Sequence, residues 1–355
     1  IKRNSINSNT VVNINTVFEN PNTAAVNLNT AAVNLSTADV IAKKEVLDET
    51  DDILNKSLVT NTSDVIKILL WTRCFGHRCL PLGTDAFKDC DVPHCEVINN
   101  RSQIEQAQVV MFHTCTVNNL NDVGGPPKYR SPSQKWIFRC SEPPTNIRLR
   151  KYPGMSDAFN FTMTTRLDSD FHMYHGLYTI NPNPPKVLPD YTRGKTKLVA
   201  WIVSHCHTRS RREVYVQKLQ EFIPVDIYGR CGWLDCPRSK EAVEEYECFK
   251  NVGATYKFYL SFENSDCRDY VTEKVWRNAI MMDILPVVRG FYNNFKTILP
   301  PGSYIHTNDF PNPEALAKYL KYLDKNDTAY NEYFSWKLTY MRDKKPKREL
   351  GVAIL

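Results

Sequence analysis

The sequence lacks the long apolar run that a membrane-spanning helix needs. Of its 355 residues, 42% are hydrophobic, yet no stretch approaches the roughly 18–20 consecutive apolar residues of such a helix. A strong charge excess is also missing, since 45 basic and 39 acidic residues give a net charge of +6. This mild excess excludes the basic composition typical of nucleic-acid-binding proteins. It suits a small anionic ligand, and the length allows two domains.

The eleven cysteines lack the spacing of a zinc site, which usually has tighter pairs and a matching second pair. Three pairs have four residues between their members: Cys74 and Cys79, Cys90 and Cys95, and Cys231 and Cys236. We therefore expect disulfides, in a connectivity that the spacing does not fix. Because the count is odd, at least one cysteine lacks a partner within the chain.

Neither a signal peptide nor a membrane anchor is visible, and the chain begins at Ile1. Six glycosylation sequons nevertheless accompany the cysteines, at Asn34, Asn55, Asn61, Asn100, Asn160 and Asn326. The two features together favour a secretory compartment. We expect a lumenal protein whose full-length form is anchored in the membrane by a segment absent here.

The composition of the chain changes near Val65. Residues 1–62 are rich in Asn, Thr and Ala and contain the tandem heptad NTAAVNL, which predicts a flexible low-complexity stem; a self-associating segment is the alternative. A Pro-rich stretch, 181–195, predicts a linker. We expect two α/β domains, 63–188 and 189–355, with a ligand cleft between them.

Short β-branched and aromatic runs alternate with amphipathic stretches after Val65, a pattern typical of parallel α/β sheets. The predicted strands are 65–72, 107–113, 134–140, 159–164, 197–204, 224–229, 256–262, 284–288 and 303–307. The predicted helices are 209–223, 273–282 and 313–324. Gly229 and Gly232, at the end of one of these strands, predict a close approach of two backbone segments.

One segment, YKFYLSFENSDCRDYVTEKVWRNA at 256–279, carries the chemistry. A strand enters a polar loop, and a helix begins near Thr272, where free N–H groups suit a diphosphate. Lys274 adds a full positive charge, and Glu273 can accept hydrogen bonds from ribose hydroxyls. Tyr270 can stack on a ring, and Asn264 can both donate and accept. The alternative for Glu273 and Lys274 is a solvent-exposed helix cap that binds no ligand.

This segment closely resembles the α1,3-fucosyltransferase family. So do three further segments: ILPVVRGFY (284–292), QKWIFRCSEPPT (134–145) and FNFTMTTRLDSD (159–170). AWIVSHC (200–206) and VDIYGRCG (225–232) resemble two strands of its donor domain. The resemblance implies two facing Rossmann-like domains of the glycosyltransferase-B type. It implies that GDP-β-fucose binds the C-terminal domain, that the acceptor lies mainly on the N-terminal domain, and that transfer inverts the anomeric centre.

The resemblance also implies residue roles. Inversion needs one base for the acceptor proton, and the match to the family's Glu-Ser-Pro loop places it at Glu142, although Pro143 stands where the family has Ser. His205 is a weaker candidate for the base. The leaving diphosphate needs fixed cations, which we assign to Lys274 and to Arg212, with the adjacent Arg211 as the alternative. The remaining predicted donor contacts are Glu273, Tyr270, Asn264, Ser204 and Tyr228.

On the acceptor side, the resemblance points to Arg166 and Asp168. The Asp168-Ser169-Asp170 run also fits the Asp-x-Asp metal motif of other glycosyltransferases, and Arg166 could neutralise these aspartates directly. By resemblance the run holds no nucleotide-bound metal. We expect no metal site and no cofactor for the chemistry, with GDP-fucose as the donor substrate and Mn²⁺ as an ion that could stimulate transfer.

Two acceptors fit, and we lean to the Asn-linked GlcNAc of the N-glycan core on a glycoprotein. The alternative is antennal N-acetyllactosamine, as in Lewis-type enzymes, but FRCSEPP and the cysteine-rich 74–95 segment depart from the vertebrate Lewis-type pattern. The family resemblance places such an enzyme on the lumenal side of the Golgi membrane. A metal-dependent glycosyltransferase and a non-catalytic glycan- or nucleotide-binding protein of the same fold are the other interpretations.

Overall fold

Apolar runs of β-branched and aromatic residues form the strands of a computed structural model of the chain. The structure describes residues 65–75, 79–88, 90, 92–115, 127–147, 158–237 and 242–343. The predicted stem, 1–62, lies outside these residues. None of the helices in the described part is long and apolar enough to cross a membrane.

The described strands are, in chain order, β1 (Ile66–Leu70), β2 (Cys95–Ile98), β3 (Val109–His113), β4 (Lys135–Cys140), β5 (Phe161–Thr164), β6 (Phe171–His172), β7 (Tyr178–Ile180), β8 (Lys197–Ile202), β9 (Val225–Tyr228), β10 (Tyr256–Phe262), β11 (Leu285–Arg289), β12 (Ile305–His306) and β13 (Tyr340–Arg342). The described helices are α1 (Arg212–Gln220), α2 (Ala242–Thr255), α3 (Glu273–Trp276), α4 (Tyr292–Ile298), α5 (Pro313–Asp324) and α6 (Asp327–Glu332).

Two parallel sheets, one on each side of the Pro-rich stretch, make up the α/β fold that the sequence predicted. The first has the order β2-β1-β3-β4-β5-β6, and the second has the order β12-β11-β10-β8-β9. All pairings within both sheets are parallel. Parallel sheets are covered on both faces, which explains the continuous apolar runs. All seven residues of β10 are buried.

The strand order reverses at one place in each sheet, between β1 and β3 in the first and between β8 and β10 in the second. At such a point the connections leave toward opposite faces, so a crevice opens beyond the carboxyl ends of the two strands. Ligands of open α/β sheets bind there. In the second sheet, the residues after these strand ends are Val203 to His205 and Glu263 to Ser265.

Helix α5 has the predicted bounds. The side chain of Asn312 accepts a hydrogen bond from Ala315 N at 2.9 Å, and Pro313 occupies the first turn. This is a standard helix start. The apolar residues of one face, Leu316, Ala317, Leu320 and Leu323, are buried. Helix α1 is shorter than its predicted span, because Arg211 adopts a left-handed conformation with φ of 50° just before it.

The predicted helix 273–282 is wrong beyond its first turn. Helix α3 ends at Trp276, and residues 280–282 form a separate 3₁₀ turn. The buried side chain of Asn278 donates to the hydroxyl of Tyr259 at 3.2 Å, and Ala279 leaves the helical region with φ of −124°. Tertiary contacts therefore override the local helical propensity here.

The C-terminal segment returns to the residues that precede the Pro-rich stretch. Strand β13 pairs with β7 in an antiparallel ribbon, in which Tyr340 lies opposite Ile180. Tyr178 and Tyr340 also make an edge-to-face contact, with ring centroids 5.2 Å apart. The chain thus enters and leaves its second sheet side by side. The predicted domain boundary at 188/189 falls within this connection and stays a prediction.

Four disulfides confirm the expectation of oxidised cysteines. They join Cys74 to Cys79, Cys115 to Cys140, Cys206 to Cys231, and Cys236 to Cys248. Of the three pairs with equal spacing, only Cys74 and Cys79 are bonded to each other. Cys231 and Cys236 bond elsewhere, and Cys90, Cys95 and Cys267 are free. Equal spacing failed as a guide because the strand ends bring together cysteines that are distant in sequence.

Candidate active site

A buried carboxylate organises the loop that follows β10. Glu263 is 1% exposed, and its Oε2 lies 3.0 Å from Nζ of Lys274. Its Oε1 accepts hydrogen bonds from the backbone N–H of Thr272 at 2.8 Å and from the Thr272 hydroxyl at 2.9 Å. A buried charge is tolerated when it is paired and hydrogen-bonded in this way. Glu263 is not among the predicted site residues, although a carboxylate directly after the mainly apolar strand β10 was a usable signal.

Lys274 lies between two carboxylates. Its ammonium group is 3.0 Å from Glu263 and 3.2 Å from Oε1 of Glu273. Burial alone would lower the pKa of Lys274, but these two neighbours raise it above its usual value. Burial alone would raise the pKa of Glu273, whereas Lys274 and His175 lower it to about 2. Both groups are therefore charged at neutral pH.

Arg212 is buried and lines the same cavity, whereas Arg211 is exposed. The guanidinium of Arg212 donates to the carbonyl oxygens of Phe262 at 2.5 Å and His205 at 3.3 Å. Its Nε has no hydrogen-bond partner among the described residues. Burial lowers the pKa of Arg212, but arginine stays protonated. Of the two adjacent arginines, Arg212 is the one that lines the cavity, and its contact with the diphosphate stays a prediction.

Three more predicted donor residues line this cavity: Ser204, Asn264 and Tyr270. Within the described part of the chain, Oδ1 of Asn264 is buried without a hydrogen-bond partner, so it is available to a ligand. Tyr270 is only 3% exposed. Burial and the nearby carboxylates of Glu263 and Glu142 raise its pKa, so its phenol stays protonated. A ring this deeply buried presents little surface on which a base could stack.

Glu142 reaches the cavity from the first sheet. It follows β4, and Nδ2 of Asn146 donates to its Oε2 at 3.0 Å. Close by, the hydroxyls of Thr145 and Ser265 are 3.0 Å apart, and Nδ1 of His175 lies 3.7 Å from Oε2 of Glu273. These contacts join the edges of the two sheets at the cavity. A carboxylate on one edge therefore faces cations on the other.

The cavity encloses about 230 Å³. Seven of the ten predicted site residues line it: Glu142, Ser204, Arg212, Asn264, Tyr270, Glu273 and Lys274. Four further lining residues were not predicted: His175, Glu245, Arg277 and Asn278. They come from segments whose position depends on how the chain folds back, and no local pattern marked them.

The other three predicted residues lie outside the cavity lining. The hydroxyl of Tyr228 is 2.9 Å from that of Tyr256, at a partly buried position beside Asp226. Nε of Arg166 donates to Asp168 at 2.8 Å, as expected, and lies 3.9 Å from Asp269 on the donor side. Their predicted donor and acceptor contacts stay predictions.

The two aspartates of the Asp-x-Asp run are engaged separately. Asp168 pairs with Arg166, while Oδ2 of Asp170 accepts hydrogen bonds from the backbone N–H and hydroxyl of Thr162 at 2.7 and 2.8 Å. The described residues contain no cluster of three or more His, Cys, Asp or Glu side chains placed to hold a metal ion.

Close backbone packing at the end of β9 confirms the prediction for its two glycines. Gly229 has φ of +83°, a conformation that glycine adopts without strain. A Cβ atom on Gly232 would lie 2.0 Å from the carbonyl oxygen of Ile227, so only glycine fits there.

The chain has two parallel Rossmann-like sheets, and the cavity lies at the switch point of the second. This is the architecture expected of a glycosyltransferase of the B type. Family models sharpen this class. The model described as "Fucosyltransferase, N-terminal" matches residues 63–176, and "Glycosyltransferase family 10 (fucosyltransferase) C-term" matches 192–352. The chain belongs to glycosyltransferase family 10, the fucosyltransferases, and is an enzyme of that family.

Individual relatives agree with the family. The chain is 38% identical to alpha-(1,3)-fucosyltransferase C of Drosophila melanogaster, over 77% of this chain and 69% of the relative. It is 37% identical to the 3-galactosyl-N-acetylglucosaminide 4-alpha-L-fucosyltransferase FUT3 of Bos taurus, over 77% and 72%. A crystal structure of an alpha1,3-fucosyltransferase with GDP-fucose is 18% identical over 79% of this chain and 83% of that chain, with a TM-score of 0.47.

Proposed function

We propose that this enzyme transfers L-fucose from GDP-β-L-fucose to the 3-hydroxyl of a GlcNAc residue, with inversion at the anomeric carbon. The observation that carries the proposal is the cavity in which Glu142 from one sheet faces Arg212 and Lys274 from the other. A donor diphosphate fits the cations, and an acceptor hydroxyl fits the carboxylate. The Drosophila relative named as an alpha-(1,3)-fucosyltransferase supports the linkage.

The reaction is a single displacement. Glu142 accepts the proton of the acceptor hydroxyl while the acceptor oxygen bonds to C1 of fucose and the bond from C1 to the diphosphate oxygen breaks. Asn146 engages Oε2 of Glu142, which leaves Oε1 for the acceptor hydroxyl. Because attack and departure occur on opposite faces of C1, a β-linked donor gives an α-linked product.

Charge develops on GDP as it leaves. The cations of Arg212 and Lys274 are held in place before the reaction, Arg212 by backbone carbonyls and Lys274 by two carboxylates. Fixed donors of this kind contribute about 3–4 kcal/mol each to the stabilisation of a transition state. Asn264 Oδ1 and Glu273 supply hydrogen-bond acceptors for hydroxyl groups of the donor.

We propose the Asn-linked GlcNAc of the N-glycan core as the acceptor. The acceptor-side strand β4 ends in Cys140, which is bonded to Cys115 and lies two residues before Glu142. A disulfide-tied strand end, rather than the aromatic-rich strand of the Lewis-type pattern, supports the core acceptor. The match to a bovine enzyme named for a galactosyl-GlcNAc acceptor favours the second candidate, antennal N-acetyllactosamine.

We propose the Golgi lumen as the site of action, with anchorage of the full-length protein in the membrane. Four disulfides support an oxidising compartment, because cytosolic thiols are kept reduced. Glycoproteins carrying N-glycans are the partners that such a compartment supplies.

The test is fucosyl transfer from GDP-fucose to a glycopeptide with a trimmed N-glycan core and to free N-acetyllactosamine, each with and without EDTA. We expect transfer to the glycopeptide that survives EDTA. Glu142→Gln should lower turnover by at least about 100-fold, since general-base catalysis contributes about 10²–10⁴-fold. The exposed Glu105→Gln is the matched control.

Each alternative has its own outcome. Transfer to lactosamine alone would keep the enzyme and change the acceptor, and loss of transfer in EDTA would indicate a metal-dependent reaction. A Glu142→Gln variant with normal folding and turnover within a few-fold of the unaltered enzyme would contradict the assignment of the base. GDP binding without transfer to any acceptor would favour a non-catalytic homologue.

A further inference from the structure

The turn between α5 and α6 places an asparagine of a glycosylation sequon against a tyrosine. Asn326 begins the sequon Asn326-Asp327-Thr328, one of three sequons within the described residues. Its Nδ2 atom donates to the hydroxyl of Tyr322 at 3.1 Å. Nδ2 is the atom that bears the sugar in a glycosylated sequon. The atom that glycosylation modifies therefore already contacts an aromatic side chain.

The orientation of the Asn326 amide follows from its role as a helix cap. Asn326 precedes the first residue of α6, and its Oδ1 accepts a hydrogen bond from the backbone N–H of Ala329 at 3.0 Å. Because this N–H needs an acceptor, the amide oxygen faces the helix and Nδ2 faces away from it. A sugar on Nδ2 leaves Oδ1 unchanged, so the cap survives the modification.

A buried lysine holds the turn in place from below. Nζ of Lys257, in β10, donates to the carbonyl oxygen of Asp324 at 2.6 Å and to Oδ1 of Asp327 at 3.2 Å. Asp324 is the last residue of α5, and Asp327 is the first of α6. One ammonium group therefore ties the two helix ends together, which fixes the position of Asn326 relative to Tyr322.

The residues that a glycan would meet at this turn are open to solvent. Tyr322 is 52% exposed, and its ring lies 6.1 Å from that of Tyr319, centroid to centroid. The hydroxyl of Tyr319 is in turn 2.7 Å from that of Tyr333. Thr328, the third residue of the sequon, is exposed, and its hydroxyl has no hydrogen-bond partner among the described residues. Half of the Tyr322 surface is thus available to a sugar.

The other two sequons in the described part of the chain lack such an aromatic partner. Oδ1 of Asn100 accepts from the hydroxyl of Ser102 at 2.9 Å, and Oδ1 of Asn160 accepts from the backbone N–H of Trp136 at 2.9 Å. At neither position does Nδ2 donate to an aromatic side chain. The two asparagines therefore serve as internal comparisons for Asn326.

We propose that Asn326 carries an N-linked glycan whose first GlcNAc packs against the ring of Tyr322. In the transfer, Nδ2 loses a proton and bonds to C1 of an oligosaccharide, while the bond from C1 to the pyrophosphate of its lipid carrier breaks. The lipid pyrophosphate of the secretory pathway is the leaving group. A pyranose presents C–H groups to the negative face of an aromatic ring, and the contact covers apolar surface.

This inference rests on the secretory location given under the proposed function, because the lipid-linked oligosaccharide is supplied only there. It goes beyond that proposal by assigning the modified atom and the side chain that the sugar covers. Neither Asn326 nor Tyr322 lines the cavity of Lys274 and Arg212. The glycan therefore acts on the stability of the α5–α6 corner and leaves turnover unchanged.

Occupancy is measured on the full chain, secreted from a eukaryotic cell line behind a cleavable signal peptide. Release of the N-glycans with an amidase in heavy-oxygen water converts each glycosylated Asn to a labelled Asp, which peptide mass spectrometry detects. We expect the label at Asn326 in most molecules. Thr328→Ala should abolish it while leaving the Asn326 cap in place. Thr328→Ser, which keeps the sequon, is the matched control.

The packing against Tyr322 is measured by the rate at which the amidase releases the Asn326 glycan from the folded enzyme. The amidase must reach the bond between Nδ2 and C1, and a sugar packed on the ring shields that bond. Release should be at least about fivefold faster in Tyr322→Ala, and equal for the two proteins after denaturation. Lys321→Ala, at an exposed position beside Tyr322, is the control.

Thermal denaturation gives a second readout of the same contact. Thr328→Ala should lower the Tm of the secreted enzyme by about 2 °C or more, because it removes the glycan and its packing. The same substitution should lower the Tm by less in the Tyr322→Ala background, where the sugar has no ring to cover. Turnover should stay within about twofold in every variant.

The outcomes separate this inference from the proposed location. A labelled Asn100 or Asn160 with an unlabelled Asn326 would overturn the inference and leave the secretory location intact. No label at any sequon would contradict both. A labelled Asn326 whose glycan is released at the same rate with and without the Tyr322 ring would refute the packing.

Discussion

Glu263 and Glu273 together offset more charge than Lys274 supplies. Both carboxylates lie within 3.2 Å of the ammonium group, so the trio carries a net negative charge. A diphosphate needs a positive site. Among the described residues, Arg212 has no carboxylate within ion-pair distance, and its donors go to backbone carbonyls. Arg212 is therefore the cation whose charge is most available to GDP.

A pair of matched substitutions tests this role of Arg212. Arg212→Lys should lower turnover by about 100-fold, the typical effect of removing one fixed donor from a transition state, because lysine cannot reproduce the forked guanidinium. Arg211→Lys should stay within about twofold, since Arg211 is exposed and surface substitutions have small effects. Single-turnover kinetics with saturating acceptor measures both. Equal losses in the two variants would contradict the assignment.

Glu273 makes the stability of the enzyme depend on pH. Its pKa is lowered from 4.5 to about 2 by Lys274 and His175. A carboxyl group with a lowered pKa stabilises the folded state above its unfolded pKa, and this contribution is lost as the pH falls through the folded value. Between pH 4.5 and 2, the Tm of the unaltered enzyme should therefore fall more steeply than that of Glu273→Gln. Thermal denaturation across this range is the measurement.

Glu221→Gln is the control for the pH experiment, since Glu221 is exposed and forms no ion pair among the described residues. The Tm of this variant should equal that of the unaltered enzyme at every pH. If the Tm of Glu273→Gln also does so, the ion pairs of Glu273 contribute nothing measurable to stability, as is the case for many partly exposed pairs.

At the scale of elements, the turn after β9 depends on Gly232. Any Cβ at this position would meet the backbone of Ile227, which cannot move aside as a flexible side chain can. Gly302 is a matched control: its φ is +72°, but no atom lies within 4 Å of the position of a Cβ. Gly302→Ala should cost only about 1–2 kcal/mol of backbone strain.

Gly232→Ala should lower the free energy of unfolding by clearly more than Gly302→Ala does, because overlap with the backbone adds to the cost. Urea denaturation of the two variants at neutral pH measures the difference. Equal urea midpoints for the two variants would show that the turn accommodates the added Cβ of Gly232→Ala without loss of stability. A lower GDP affinity in folded Gly232→Ala would further indicate that the turn supports the donor site.

The sequence predicted elements where local signals and tertiary contacts agree. In α5, the Asn312 cap, Pro313 and the apolar face all give the same bounds. Strand β2 was missed because Glu96 interrupts its short apolar run, and α2 was missed because Gly253, a poor helix former, lies within it. At the site, the family resemblance and the helix start near Thr272 predicted most of the seven residues that line the cavity. Glu263 was missed because its burial is a property of the fold.

At the scale of the whole molecule, residues 63–355 form one compact unit. The family models begin at residue 63 and end at residue 352. A variant that lacks residues 1–62 should therefore keep kcat and Tm within about twofold and a few degrees of the full chain, since independent regions act additively. Activity and thermal denaturation check this. A large loss of either would assign residues 1–62 a part in folding or catalysis.

The four disulfides never cross or enclose one another. Each bonded cysteine has as its partner the next cysteine along the chain. Cys90 and Cys95 are also neighbours in this order, so a bond between them would displace no later pair. If the chain emerges from its N-terminus into an oxidising compartment, as the proposed function requires, each of the four bonds forms between two cysteines that emerge one directly after the other. The thiols of Cys90 and Cys95, which emerge before Cys115, are then the early competitors for its bond to Cys140, and disulfide exchange would correct that mispairing.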